Sequence, residues 1–406
     1  MRILALQSGT SADAIDVALV SVEAGPDALE LVVERWGAEP WLPDERALVM
    51  RAVDGSPLNP GEWCRLETVV GQAFARAAAS FIARGLRPDL VCSHGQTVFH
   101  GVDGGTVWGT LQVGEPAWIA RATASPVLFN VRVADVAAGG QGAPLISAFD
   151  ARWLRAAAEQ AGAPIASLNL GGIANLQVVA PDGAVTGFDT GPANALLDAY
   201  LTRETDGAEA FDCDGRHAAA GRVDPVLLGR LLAHRYFALD APKTTGRETF
   251  TLATVDEALA EAHEQLRPPA SLSLDDVCAT LAELTAASVA EALHRTAPDA
   301  ARIVVSGGGV RNPVLLDRIA VLAGVPVEPS DAWGIPADAR EAVMFAALAY
   351  LSALRVPLEL PGTPPGRAAV AGQWDLSVAP LPALPDSTVT GVALQRLRVR
   401  TREERP

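Results

Sequence analysis

The sequence predicts an α/β protein built from two related halves. Three observations carry this. Strand-like apolar runs alternate with segments of helical periodicity along the chain. A strand, a polar glycine-containing turn and a second strand occur twice, about 160 residues apart. The 406 residues suffice for two domains with separate cores.

The first hairpin joins Ile3–Leu6 to Ile15–Val20 through Ser8-Gly9-Thr10-Ser11, with Leu29–Trp36 as a third strand. Leu66–Ala83 has helical periodicity, and Leu90–Cys92 is a short strand ending on Ser93-His94-Gly95-Gln96-Thr97. The second hairpin joins Ile165–Leu170 to Leu176–Val179 through Gly171-Gly172-Ile173-Ala174-Asn175. A third strand-to-glycine turn, Ile303–Val305 into Ser306-Gly307-Gly308-Gly309, continues into a helix, Val314–Leu322, with Pro313 in its first turn. The repeat predicts a duplicated unit whose two turns face each other across a cleft. From Leu360 onward Pro, Gly and small residues dominate, which predicts a wandering terminal segment. The final LQRLRVRTREERP reads as a solvated basic tail.

Composition narrows the function. The net charge of −16 argues against nucleic acid and anionic membranes as partners, because both are polyanions. No apolar stretch approaches the roughly 20 residues that span a bilayer, and the N-terminal apolar run is too short for a secretory signal. Cys64, Cys92, Cys213 and Cys278 lack CxxC spacing and read as reduced thiols, so a cytoplasmic protein is expected. Of the 32 basic residues only Lys243 is a lysine. Ammonium and guanidinium are not interchangeable at a tight site, so this lysine stands out, although one surviving surface lysine is the plainer account.

Several stretches carry chemistry. Ser8-Gly9-Thr10-Ser11 offers backbone amides and hydroxyls suited to phosphate. Asp13 and Asp16 beside it then require a divalent cation, for which Mg²⁺ is suited; an ordinary polar hairpin turn is the alternative. Gly307–Gly309 offers bare backbone to an adenosine moiety, or is only a tight strand–helix connection. None of these turns is a Walker A or GxGxxG sequence. Asp189, after a strand and before a turn and helix, suits a base, or else caps the helix. Ser93-His94-Gly95-Gln96-Thr97-Val98-Phe99-His100 suits a polyhydroxylated ligand, against the alternative of structural histidines. Gly139-Gly140-Gln141-Gly142 suggests close backbone approach to a substrate, or a hinge.

Taken in order, LQSGTSADAIDVAL, SHGQTVFH, LQVG, DVAAGGQGAPL, LNLGGIANL, GFDTGPANALLDA, PKTTGRETF, ATLAELTA, SGGGVRN and EAVMFAALA resemble the blocks of the anhydro-N-acetylmuramic acid kinases over roughly residues 1–375. The resemblance implies the two-domain sugar kinase/Hsp70/actin (ribonuclease H-like) fold, with an interdomain cleft that closes on ligand. It implies domains at 1–127 with about 345–375, and at 128–344, with 376–406 outside it. It implies ATP with Mg²⁺, with Gly9, Thr10, Ser11, Asp13, Asp16, Gly171, Gly172, Gly307, Gly308, Gly309 and Asn312 on the nucleotide side. Asp13 and Asp16 would hold the metal, directly or through water. It implies His94, Gln96, Thr97, Arg132, Asn194 and Glu341 as sugar-binding residues, and Asp189 as the catalytic acid residue of the D-T-G-P motif. The similar enzymes open the 1,6-anhydro ring and phosphorylate O6 in peptidoglycan recycling. O6 is an ether oxygen, so the base must activate water rather than the acceptor. A homodimer is also implied. Gln7, Ala14 and Asn130 depart from the family's usual Met, Gly and Asp, while Arg132 is kept and suits a lactyl carboxylate. Lys243 falls within a family block but receives no role. Two other readings remain at this stage: a kinase of an amino sugar with a free 6-hydroxyl, and a non-catalytic sugar or nucleotide sensor.

Overall fold

The computed structural model describes the chain except residues 10, 83–86, 247–248, 266–271, 384–390, 392 and 403–406. Its strands in chain order are β1 (Arg2–Ser8), β2 (Ala14–Ala24), β3 (Leu29–Pro40), β4 (Leu90–Asp103), β5 (Thr106–Val113) and β6 (Val127–Phe129). Then follow β7 (Ile165–Leu170), β8 (Ile173–Val179), β9 (Val185–Pro192), β10 (Arg302–Ser306), β11 (Val327–Pro329), β12 (Gln373–Asp375) and β13 (Leu397–Thr401). Two compact units result, Met1–Trp153 with Gly334–Pro406, and Leu154–Trp333. Among the described residues no helix is long and apolar enough to cross a membrane.

The first unit holds a sheet in the order β12-β6-β4-β1-β2-β3-β13, with β5 paired to β4. The second holds β11-β10-β7-β8-β9. Both contain the same five-strand pattern. An antiparallel meander, β1-β2-β3 or β7-β8-β9, is flanked on its first strand by two parallel strands, β4-β6 or β10-β11. The duplication expected from two glycine turns is thus present at the level of strand order.

Local sequence explains the elements. β1 is buried from Ile3 to Ser8 and β2 from Val17 to Val20, as in central strands with both faces covered. The helix Pro60–Ile82 buries Leu66, Val70, Ala73, Phe74, Ala77 and Phe81, one face at helical spacing. The helix Pro313–Ala323 starts with Pro at its first position. Its cap is Asn312, whose side chain accepts the Leu315 amide, and it ends at Gly324 in the left-handed region.

The unit boundaries differ from the expected 127/128 and 344/345. Residues 128–153 stay with the first unit because its interior needs them. The helix Ile146–Trp153 packs on the helix Arg340–Ala353, and Asp150 accepts a hydrogen bond from the buried Arg340 guanidinium. That second helix, buried along almost its whole length, lies on β1, β2 and β4. The C-terminal residues are also not a free tail. β13 pairs in parallel with β3, and Arg398 bridges Asp27 and Glu30.

Candidate functional site

In the first unit, the β1–β2 hairpin sets Gln7 directly opposite Asp16, and Gln7 Nε2 donates to Asp16 Oδ2 at 2.5 Å. Burial, with the nearby charge of Glu341 and then those of Asp338 and Asp13, lifts the Asp16 carboxyl to about 7 despite the Gln7 hydrogen bond. The turn beyond is anchored by Gly9 O, which accepts from Ala12 N at 3.0 Å and from Gln96 Nε2 at 3.1 Å. The left-handed residue here is Ala12 (φ 47°), while Ala14 is extended in β2. The loss of a glycine at position 14 is therefore harmless. Arg46 wraps the turn, donating to the carbonyls of Ser11 and Ala12 and pairing with the exposed Asp13 at 3.6 Å. Thr10 lies outside the described residues. A Cβ on Gly9 would meet only Ser11 Oγ, at 3.9 Å. Among the described residues, a side chain at position 9 would therefore meet no close contact.

Residues 93–100 do not follow a strand end as expected; they lie within β4, which runs on to Asp103. His94 is buried and stacked on Phe345 with ring centroids 4.7 Å apart. Its Nε2 lies 3.3 Å from Thr97 Oγ1 and 3.4 Å from Arg132 Nη2. Burial and the Arg132 charge push His94 well below the usual histidine range, so it is neutral. Arg132 donates Nη1 to Gly142 O at 2.9 Å, and burial pulls its guanidinium down to about 10 against the attraction of Glu341. Glu341 opens the helix Arg340–Ala353; burial raises its carboxyl, opposed by Arg340 and Arg132. His94 Nδ1, Gln96 Oε1 and Arg132 Nε are buried with no hydrogen-bond partner among the described residues. Three such atoms in one neighbourhood ask for a polar ligand.

The glycine run 139–142 has a different origin from close substrate approach. Asp135 Oδ2 accepts the Gly142 amide at 2.7 Å, its Oδ1 accepts Thr363 Oγ1 at 2.6 Å, and a Cβ on Gly140 would collide with this carboxylate. The loop is wrapped around a buried acid and thereby fixes the carbonyl that holds Arg132.

In the second unit, Asp189 lies in β9 opposite Asn175 of β8. Asn175 Nδ2 donates to Asp189 Oδ1 at 2.7 Å, and Gln177 Nε2 donates to Asn175 Oδ1 at 2.6 Å. Gly187 leaves the room that Gln177 needs; a Cβ there would overlap its amide. Asp189 Oδ2 accepts from Thr244 Oγ1 at 2.9 Å and from Thr245 N at 3.0 Å. Three donors therefore fix a carboxylate inside a strand, which the helix-cap alternative does not need. The sequence placed Asp189 but gave no sign of Asn175, Gln177 or the two threonines as its partners.

The remaining turns of this unit are partly self-explained. Gly171 O accepts from Asn194 N, and Gly172 O from Ala193 N and Ala195 N, tying the second hairpin to the start of the helix Asn194–Glu204. Asn194 Nδ2 donates to Leu170 O at 3.0 Å. Gly307 (φ 85°) packs against Asn169 and Leu170, and Gly309 against Leu170. Gly171 and Gly308 have no atom closer than 3.8 Å to an added Cβ. Asn312 uses its side-chain oxygen as a helix cap.

For Mg²⁺, which the fold class implies, Asp16 fits. It is a partly buried carboxyl in an excess of negative charge, and Mg²⁺ needs only one or two carboxylates beside water and phosphate. Asp13 does not fit, because it turns outward to Arg46. Among the described residues no cluster of three or more His, Cys, Asp or Glu is placed to hold a metal.

A five-strand sheet with an antiparallel leading meander, repeated once per unit and bearing glycine turns beside its strand ends, defines the sugar kinase, Hsp70 and actin class. The profile of the anhydro-N-acetylmuramic acid kinase family matches residues 1–373. The chain is 47% identical over 376 residues to the anhydro-N-acetylmuramic acid kinase of Streptomyces coelicolor, covering 92% of this chain and 93% of that one. It is 44% identical to the enzyme of that name from Rhodococcus erythropolis, covering 88% and 89%. For the one from Xanthomonas campestris the identity is 46%, covering 88% and 92%. The chain belongs to the anhydro-N-acetylmuramic acid kinase family.

Proposed function

We propose that the protein is an ATP-dependent kinase that opens the 1,6-anhydro ring of 1,6-anhydro-N-acetylmuramic acid and yields N-acetylmuramic acid 6-phosphate, in cytoplasmic recycling of peptidoglycan. The observation that carries the reading is the carboxylate of Asp189, aimed by Asn175, Thr244 and Thr245 rather than left to rotate. Asp189 takes a proton from water, and the water oxygen bonds to C1. The C1–O6 bond breaks, and O6 takes the γ-phosphoryl group of ATP, releasing ADP. A fixed base contributes more than a mobile one because its position is set before the reaction.

Arg132, Gln96 and His94 supply the first unit's sugar contacts, with Arg132 Nε facing the lactyl carboxylate and the neutral His94 a hydroxyl. Thr97 and Glu341 complete the first unit's set. Gly9, Gly171 and Gly308, at each of which a Cβ would make only ordinary contacts, are proposed to face the nucleotide, as are Thr10, Ser11, Gly172, Gly307, Gly309 and Asn312. Asp16 is the side chain that would hold a Mg²⁺ bound with ATP, and that ion would supply positive charge to the transferring phosphoryl group. Mass spectrometry of product made in ¹⁸O water tests the whole reading. Label at C1 with phosphate on O6 is expected; phosphorylation without label means a free 6-hydroxyl sugar is the substrate.

A further inference from the structure

The contacts of the chain's single lysine assign it a place in this chemistry. Resting on the reading of Asp189 as the base, we propose that Lys243 is a positioning residue that locks a strap, residues 242–245, onto the base through its compact ammonium.

The geometry forms a closed circuit. The Asp189 amide donates to Lys243 O at 2.9 Å, and the next two residues, Thr244 and Thr245, donate to Asp189 Oδ2. Lys243 Nζ turns away from the carboxylate and donates to Tyr236 O at 3.1 Å, with Phe237 O at 3.4 Å. It also lies over the Tyr236 ring, 4.6 Å from its centre. Tyr236 OH then donates back to Asp189 O at 2.7 Å. Tyr236, Phe237 and Phe250 are buried against one another, so the two carbonyls are rigidly presented. Among the described residues, the strap's other hydrogen bonds are those it makes to Asp189 itself.

The geometry also explains why this basic position is not arginine in a chain that uses arginine at 31 of its 32. One nitrogen must meet two carbonyls and the face of a ring. A compact ammonium with three rotatable donors does this, whereas a planar guanidinium presents its donors in one fixed fork. Arg295, the nearby arginine, reaches Phe237 O only at 3.5 Å and is committed to Asp240.

The test compares wild type, Lys243→Met and Lys243→Arg by hydrogen–deuterium exchange and by steady-state kinetics with ATP and the 1,6-anhydro sugar. Both variants are expected to expose the Asp189 and Thr245 amides, with exchange about 10-fold faster, while β7 and β8 keep wild-type protection. Their kcat is expected to fall about 10²-fold, the scale of a misplaced catalytic group, with KM for both substrates within about 2-fold. In an Asp189→Asn background, Lys243→Met is expected to add no further loss, since both changes act through one base. Unchanged exchange at Thr245, losses that multiply in the double variant, or wild-type kcat in Lys243→Arg each overturn the proposal. If Lys243→Met loosens the whole unit, Lys243→Arg, which keeps the charge and stem, decides. A wild type inactive on the sugar refutes the kinase reading alone, because the exchange arm still judges the strap.

Discussion

Asp189 and Asp16 are both carboxylates opposite an amide on the neighbouring strand, yet their settings differ. Asp189 accepts three hydrogen bonds; Asp16 accepts one from Gln7 amid other acids. Asp189→Asn is expected to lower kcat by about 10²–10⁴-fold while sparing sugar and ATP binding, measured by calorimetric titration; near wild-type kcat would remove it as the base. For Asp16 the sign runs the other way from a paired acid. Its folded value near 7 lies above the unfolded 3.8, so the folded chain binds the extra proton between those values. Stability is lost as pH rises through that window. Asp16→Asn should therefore melt higher than wild type at pH 8, by on the order of 1–2 kcal/mol after solvent screening, and the gap should close by pH 4. A gap independent of pH would contradict this. Gly9→Val is expected to weaken ATP binding by 10-fold or more (about 1.4 kcal/mol or more) without lowering the melting temperature, because its Cβ meets nothing nearer than Ser11 Oγ. Unchanged ATP affinity would reduce the turn to a hairpin.

At the scale of elements, both hairpins were legible because a buried apolar run, a glycine turn and a second run leave few other folds. The length of β4 was not. Ser93, His94 and Gln96 are polar yet buried, which inverts the pattern that marks a strand. Polar residues in the interior are there for ligand or for one another, and composition cannot separate that from a loop. The role of β13 was hidden differently. Leu397 and Val399 alternate with Arg398 and Arg400, a strand pattern, but the acids that receive Arg398, Asp27 and Glu30, lie near the other end of the chain. Shortening the chain after Gln395 should uncover the edge of β3, lower the melting temperature by several degrees and raise aggregation measured by light scattering. A truncated chain that melts like wild type would make β13 dispensable. The site was legible to the same degree. Asp189 stood out by its motif, whereas Asn175 and Gln177 are ordinary strand residues until the β8–β9 register is known.

At the scale of the molecule, the second unit is one continuous stretch, Leu154–Trp333, with its own sheet and cores. The first is split, and its core helix Arg340–Ala353 comes after the insertion. The sequence showed two halves but not where they part, because the residues that decide it, Asp150 and Arg340, are 190 positions apart. Residues 154–333 expressed alone are expected to unfold cooperatively in calorimetry, whereas residues 1–153 alone are not. A cooperative transition in the shorter N-terminal piece would refute this.

That split sets an order of events on the ribosome. The β1–β3 meander is complete by Pro40, yet the helix that covers it begins about 300 residues later. At synthesis rates of ~5–20 residues per second, the nascent meander waits roughly 15–60 s with one of its two apolar faces uncovered, the other being packed by the helix Pro60–Ile82, while the inserted unit emerges whole and folds first. The N-terminal strands are thus the part of the newborn chain most in need of a holding chaperone. Chains stalled so that the insertion is outside the ribosome while Arg340–Ala353 is still within it should yield a protease-resistant fragment spanning the insertion but none from the N-terminus.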